Sequence, residues 1–198
     1  MKGCAVAMIE KSVVVPTALP RTPDQILGPF YPVQQAPVLT GDLTRAGRAK
    51  GTVLHLSGRV LTSAGAPVAG ARVEIWQANA GGRYAHPNDT NPTPLDPNFD
   101  GFAVATTDAQ GCYRFRTVVP AAYPAGPDRM RPPHIHFKVT GAREQLVTQM
   151  YFAGEEWNDR DPWLQSARRQ DALIVSPHDA PDDKGAKAAS FDIVLAYG

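Results

Sequence analysis

Two histidines separated by one residue, His134 and His136, stand in the run Arg131-Pro132-Pro133-His134-Ile135-His136-Phe137. In an extended strand alternate side chains share a face. This spacing therefore sets two imidazoles side by side and sends Ile135 and Phe137 to the opposite face. Imidazole is a common metal ligand, so the pair reads as half of a metal site built from one strand. The same pattern also occurs as an ordinary core or surface pair. No cysteines or carboxylates stand at a spacing that would complete the site, but tyrosines do: Tyr123, in Tyr123-Pro124, and Tyr84, in Gly82-Arg83-Tyr84-Ala85-His86-Pro87. A lone loop tyrosine is usually a packing or surface residue. Two phenols with two imidazoles suit a hard, oxidised metal, because phenolate oxygen is anionic and favours ferric over ferrous iron.

The strands that would position these groups are legible from alternation and turn signals. Val53, His55, Ser57 and Arg59 alternate with Leu54, Leu56 and Val60, and the turn Ser63-Ala64-Gly65-Ala66-Pro67 leads to a second strand over Ala71–Gln77. Further strands are expected at Phe102–Thr106, Cys112–Thr117, His134–Thr140, Leu146–Phe152, Ala172–Val175 and Ala189–Leu195. Short helical turns are expected between Gly154 and Arg169. Loops 78–100 and 120–133 carry Tyr84 and Tyr123; structureless loops longer than about 12–15 residues are usually functional or disordered. Short strands, regular turns and almost no helical pattern predict an all-β chain, an antiparallel β-sandwich with long ordered loops. Residues 1–50, proline-rich and without periodicity, read as an extended N-terminal arm packed on the β-sandwich domain formed by residues 51–198.

Composition narrows the function classes. At 198 residues, 43% of them hydrophobic, one domain with a real core is expected. Nineteen prolines and 17 glycines suit a sheet protein with many turns. A formal charge of +1 gives no electrostatic case for nucleic acid. Two cysteines, Cys4 and Cys112, make neither a disulfide framework nor a zinc ribbon and read as free thiols in a reducing compartment. The N-terminal apolar patch is broken by Glu10 and Lys11, and no run approaches a membrane span, so a cytoplasmic protein is expected. There is no GxGxxG dinucleotide fingerprint.

Several motifs now line up: Gly28-Pro29-Phe30-Tyr31-Pro32, Glu74-Ile75-Trp76-Gln77-Ala78, Gly82-x-Tyr84, Asp108-x-x-Gly-x-Tyr113-x-Phe115, Tyr123-Pro124, Arg131-Pro-x-His134-Ile-His136-Phe137 and Leu146-Val-Thr-Gln149-Met-Tyr-Phe152. Each is weak alone, but the ordered set is specific and covers most of residues 25–155. On these residues the chain resembles an intradiol ring-cleavage dioxygenase of the protocatechuate 3,4-dioxygenase type. The resemblance implies a β-sandwich and a non-haem Fe(III) held by Tyr84, Tyr123, His134 and His136. It implies that Tyr123 is the ligand a catechol displaces, taking up a substrate proton as it leaves. Arg131 and Gln149 match the pair beside the substrate. The implied reaction consumes dioxygen, needs no reducing cofactor and gives a muconate-type diacid, with a catecholic small molecule as substrate.

The chain also departs from that pattern. Catechol and hydroxyquinol enzymes usually carry a helical N-terminal region, whereas some 50 mostly irregular residues precede the first strand here. Protocatechuate enzymes pair a metal-free chain with a metal-binding one; this chain carries all four ligand positions, which is compatible with a homo-oligomer. An aromatic often stands two residues after the second tyrosine, whereas this chain has Ala125, implying a wider or differently shaped pocket.

Two other readings compete. A cupin would place a glutamate four or five residues after His136, where Thr140 and Gly141 stand. A non-catalytic β-sandwich binding module would explain the strand-turn-strand run from Gly58 to Val73 without any metal. Among other polar residues, His86 reads as a loop cap or a support for Tyr84, and His55 and His178 have no metal-ligand partner nearby in sequence. Trp76 reads as core or pocket wall. Trp157 and Trp163 are expected to pack a surface excursion or oligomer contact rather than touch substrate.

Overall fold

The structure, a computed structural model, describes residues 18–32, 36–126 and 128–198. The chain runs through β1 (Val53–Thr62), β2 (Arg72–Trp76), β3 (Phe102–Thr106) and β4 (Cys112–Val118). A small hairpin, β5 (Tyr123–Pro124) with β6 (Met130–Arg131), precedes β7 (His134–Thr140) and β8 (Gln145–Phe152). After the short helix α1 (Pro162–Ser166) come β9 (Ile174–Val175), β10 (His178–Asp179), β11 (Lys187–Ser190) and β12 (Ile193–Leu195). One sheet has the order β10-β11-β1-β12, with β4 also paired to β1; the other has the order β3-β2-β7-β8-β9.

The two sheets enclose a single apolar layer. Leu54, Leu56 and Val60 of β1, Phe115 of β4 and Ile193 of β12 meet Val73 and Ile75 of β2, Ile135, Phe137 and Val139 of β7, and Leu146 and Met150 of β8, all buried. Ile135 and Phe137 thus fill the core because of the same alternation that turns His134 and His136 outward. That outer face is not left to solvent. Trp76, Ala78, Tyr84, Phe102, Val104 and Tyr123 form a second buried cluster, with Phe30, Tyr31 and Val147 packed against it. The β2-β7-β8 sheet is therefore covered on both faces, and the histidines lie within the second layer.

The sandwich is as expected, but its pairing is mixed. β1 pairs with β11 and β12 in parallel, and β8 with β9 in parallel, while the β1-β4, β2-β3, β2-β7 and β7-β8 ladders are antiparallel. Periodicity reports which face a residue takes but not strand direction, so these pairings were not visible in it. The strand expected over Ala189–Leu195 is broken at Phe191-Asp192. Gly58 lacks the Cβ that would lie 2.0 Å from the Phe191 carbonyl oxygen, so that carbonyl enters β1's space and accepts from the Tyr113 hydroxyl. The Asp192 carboxylate then accepts from the Arg59 N–H at 2.9 Å. The strand expected over Ala172–Val175 shrinks to β9, because Gln170–Ala172 closes a 3-10 turn. Short helical turns do occur in 154–169, at Asn158–Arg160 and α1.

The described residues before β1 lie along the sandwich. The N–H groups of Leu19, Thr22 and Gln25 donate to the carbonyls of Ser63, Val194 and Val147 at 2.7, 3.0 and 2.8 Å. Leu43 is fully buried. Cys4 and the rest of residues 1–17 lie outside the described residues, as do residues 33–35 and 127. Among the described residues no helix is long and apolar enough to cross a membrane.

Arg21 ties this segment down by donating to Glu144 at 2.5 Å, and Glu144 also accepts from the Tyr197 N–H at 3.0 Å. Burial opposes ionisation of Glu144, but the Tyr197 N–H and the Arg21 guanidinium outweigh it and hold the carboxyl below its ordinary 4.5. The unfolded chain therefore binds this proton more readily than the folded one. The stabilisation is complete above the ordinary value and lost as pH falls through the lower folded value. Glu144→Gln should cost about 0.2–1 kcal/mol in urea unfolding near neutrality. The difference from wild type should vanish in strong acid, and a difference that persists there would contradict the ionic origin.

Candidate metal centre

Three segments deliver the predicted groups to one place. β7 supplies His134 and His136 on one face, held between β2 and β8, where Trp76 and Gln149 stand opposite His136 and Tyr151 opposite His134. The β5-β6 hairpin sets Tyr123 directly across from Arg131. Tyr84 comes from the loop after β2, its N–H donating to the Asp89 carboxylate at 2.7 Å. The loops meet at Gly82, whose φ of +82° suits glycine and whose added Cβ would lie 2.5 Å from the Ala122 carbonyl oxygen. Gly28, also at positive φ, brings the preceding segment over His136.

The donor atoms crowd one point. His134 Nδ1 lies 2.8 Å from the Pro132 carbonyl and must donate to it, which leaves Nε2 as a lone pair. On that lone pair converge the Tyr84 hydroxyl at 3.3 Å, Arg131 Nη1 at 3.1 Å and His136 Nε2 at 3.2 Å. The Tyr123 ring stands 5.6 Å from the His134 ring and 5.4 Å, edge-on, from Tyr84. Trp76 stacks on His136 at 4.8 Å, and His136 Nδ1 is buried without a partner. One lone pair cannot serve three donors, and an orphaned imidazole nitrogen is costly. A cation between the imidazoles and phenols would relieve the crowding. Among the described residues no group of three or more His, Cys, Asp or Glu side chains could hold a metal, so such a site has to draw on the phenols.

The electrostatics agree. Burial holds both imidazoles well below their ordinary value, and Arg131 adds to this, so both are neutral and ready to coordinate. Burial also raises both phenols, Tyr84 well above the ordinary 10.0. A bound multivalent cation is the kind of local charge that inverts this direction and turns phenols into phenolates.

Beside the donors lies a buried polar network. Arg131 is 3% exposed and Asp161 fully buried. The guanidinium donates through Nε to Asp161 at 2.9 Å and through Nη2 to Gln149 at 2.8 Å and Tyr151 at 2.9 Å. Burial works against its charge, but Tyr123, Tyr151 and Asp161 outweigh it and hold Arg131 above its ordinary value. Asp161 also caps α1 by accepting from the Leu164 N–H at 2.9 Å. Asp161 and Tyr151 escaped sequence reasoning. Asp161-Pro162 signals a helix start, but nothing in the pattern links it to Arg131, thirty residues away.

A cavity of about 550 Å³ opens beside this network, and of the predicted site residues Tyr123 and Arg131 reach its wall. Gln149 does not line it; its amide donates to the Ile26 carbonyl at 2.9 Å and its oxygen accepts from Arg131 and Tyr151. Trp163 corrects the expectation of a surface role. It lines the cavity and covers Arg131, the guanidinium carbon lying 4.3 Å from its ring, because Asp161 anchors the start of α1 over the site. Trp157 does sit on an outer excursion, under Arg160. His86 caps its loop, accepting from the Asn88 N–H at 3.2 Å. His55 pairs with Asp183 at 2.9 Å, and His178 is exposed on β10.

Asp161→Asn keeps a competent helix cap but leaves the buried guanidinium without a counter-charge. Breaking a buried pair from one side typically costs about 3–5 kcal/mol. Urea unfolding should show a loss of that order, and a change below about 1 kcal/mol would mean that Arg131 is balanced elsewhere.

Comparison with known proteins agrees with the geometry. The family model described as "Dioxygenase" matches residues 26–197. The protocatechuate 3,4-dioxygenase beta chain of Burkholderia cepacia is 42% identical over 178 residues, 84% of this chain and 76% of that protein. Catechol 1,2-dioxygenase of Acinetobacter baylyi is 33% identical over 183 residues, 84% of this chain but 57% of that protein. In structure, catechol 1,2-dioxygenase from Pseudomonas arvilla C-1 superposes with a TM-score of 0.70 at 33% identity, over 88% of this chain and 62% of that one. The dioxygenase domain of a carbohydrate-binding fusion protein from Streptomyces sp. SirexAA-E gives a TM-score of 0.72 at 29% identity, over 90% and 100%. With its fold, its motifs and these relatives in agreement, the chain belongs to the intradiol ring-cleavage dioxygenase family.

Proposed function

We propose that this enzyme cleaves a catecholic ring between its two hydroxyl-bearing carbons with dioxygen, at a non-haem Fe(III) held by Tyr84, Tyr123, His134 and His136, giving a muconate-type diacid. The observation that carries this reading is the convergence of two phenols and two neutral imidazoles in one buried cluster beside a guanidinium. When bound, ferric iron supplies a Lewis acid that favours ionised phenols and makes a chelated catecholate reactive toward dioxygen.

The protein's own groups divide the remaining work. Tyr123 lies in the cavity wall, so it is the phenol placed to yield its position to an incoming catechol. Its hydroxyl oxygen can then take up the proton that a substrate hydroxyl loses. Tyr84, His134 and His136 sit behind that wall and would be the residues that keep the metal in place. Arg131 presents fixed positive charge where negative charge develops on the ring, a role often worth a few kcal/mol. Gln149, Tyr151 and Asp161 keep the guanidinium from turning away, and Trp163 covers it. Of the N-terminal arm, the described segment around Ile26, Pro29 and Phe30 roofs the cavity in this reading. Cytoplasmic residence, where Cys112 stays a free thiol, belongs to the same proposal.

The test is a visible spectrum of the iron-loaded protein before and after anaerobic addition of catechol. A tyrosinate-to-iron charge-transfer band that shifts on addition is expected, and Tyr84→Phe and His136→Ala should each lower the bound iron measured by elemental analysis. A protein that stays colourless after iron loading would overturn the four-ligand assignment.

A further inference from the structure

The cavity beside Tyr123 is larger than a bare catechol requires. Its volume, about 550 Å³, falls inside the range of about 300–1,000 Å³ that accommodates drug-sized ligands. Its walls are mainly apolar: Ile26, Pro29, Phe30, Pro92, Pro124 and Ala125. Next to Tyr123 the wall is recessed, because Ala125 contributes only a methyl group and Gly126 no side chain at all. A ring bound at Tyr123 and Arg131 would leave most of this volume for a substituent.

The charge lining the cavity is already committed. Among the described lining residues the charged ones are Arg131 and Asp89. Arg131 has its counter-charge in Asp161 at 2.9 Å and its Nη2 is taken by Gln149 and Tyr151, while Nη1 lies 3.1 Å from His134 Nε2, so the N–H it still offers points to the ring-oxygen end of the cavity and not to a ring substituent. Asp89 accepts from the backbone N–H groups of Tyr84 and Asn91 at 2.7 and 2.8 Å, and it adds negative potential. The lip carries Asn88 and Thr90, both exposed and both neutral. An ionised carboxylate on the substrate ring would lose part of its hydration here and gain no counter-ion, which is unfavourable.

From this space and this charge we infer that the preferred substrate is an uncharged catechol with a bulky, mainly apolar ring substituent, and that a carboxylated catechol is disfavoured. The inference rests on the proposed ring-cleavage function and specifies the substrate class of that same site.

The test is an anaerobic titration of the iron-loaded protein with catechol, 4-phenylcatechol and 3,4-dihydroxybenzoate, the dissociation constants being read from the shift of the visible band. Burial of the second ring should make 4-phenylcatechol bind about tenfold or more tightly than catechol. The carboxylated compound should bind more weakly than catechol. Tightest binding by 3,4-dihydroxybenzoate, or equal binding of all three, would overturn the inference while leaving the ring-cleavage reading intact. No shift with any catechol would overturn that reading and the inference together. Thr90→Lys, an exposed change that leaves the core alone, places a cation at the lip and should tighten binding of the carboxylated compound roughly two- to fivefold. An unchanged constant for that compound would show that the substituent does not lie in this cavity.

Discussion

A buried guanidinium cannot stand alone, and the way Arg131 is satisfied organises the surrounding structure. Its partners come from three separate stretches of chain: His134 on β7, Gln149 and Tyr151 on β8, and Asp161 at the head of α1, whose Trp163 covers it. Gln149 in turn donates to Ile26. Each of these contacts would be nearly worthless at the surface. In a dry interior, where removing one partner strands another, they act as a unit. The position of the segment around Ile26, the docking of α1 and the geometry of the β5-β6 hairpin all follow from the need to keep this one charge paired.

The second determinant is a sheet that is wet on neither side. β2, β7 and β8 send one set of side chains into the sandwich core and the other into an aromatic layer built by loops. Most half-buried strands alternate apolar with polar residues. Here the alternate positions of β7 carry His134 and His136, polar groups that are nonetheless buried. Polar groups placed in a dry layer are expensive unless they are used, and this is the physical reason to read them as a site rather than as packing.

Much of this was legible in the residue pattern. The strands at Phe102–Thr106 and His134–Thr140 coincide with β3 and β7, because alternation and flanking turns were both strong there. The facing of His134 and His136 followed from period two alone. The meeting of Tyr84 and Tyr123 with them could be reached only through the resemblance, since loop geometry has no periodicity. What stayed hidden was long-range. The parallel pairing of β1 with β11 and β12, the break at Phe191 and the Arg131–Asp161 pair each depend on which distant segments meet. Trp163 was misjudged for the same reason: a tryptophan after Asp161-Pro162 looks like a surface helix residue until the helix is seen to be anchored on a buried charge.

β1 sits in the middle of its sheet between β4 and strands drawn from the far end of the chain, Lys187–Ser190 and Ile193–Leu195. During synthesis the β1-β4 ladder can form early, but its open edge has to wait for the 69 residues from Val118 to Lys187 to emerge. Parallel pairings of such sequence separation carry a large loop-closure cost and form slowly. Until then β1 presents an unpaired apolar edge of the kind that recruits other chains. The segment around Thr22, which hydrogen-bonds to Val194, can find its place only after that closure. The roof of the cavity is therefore among the last parts of the molecule to set, and a nascent chain held short of residue 187 would have the paired histidines and both tyrosines but no finished chamber around them.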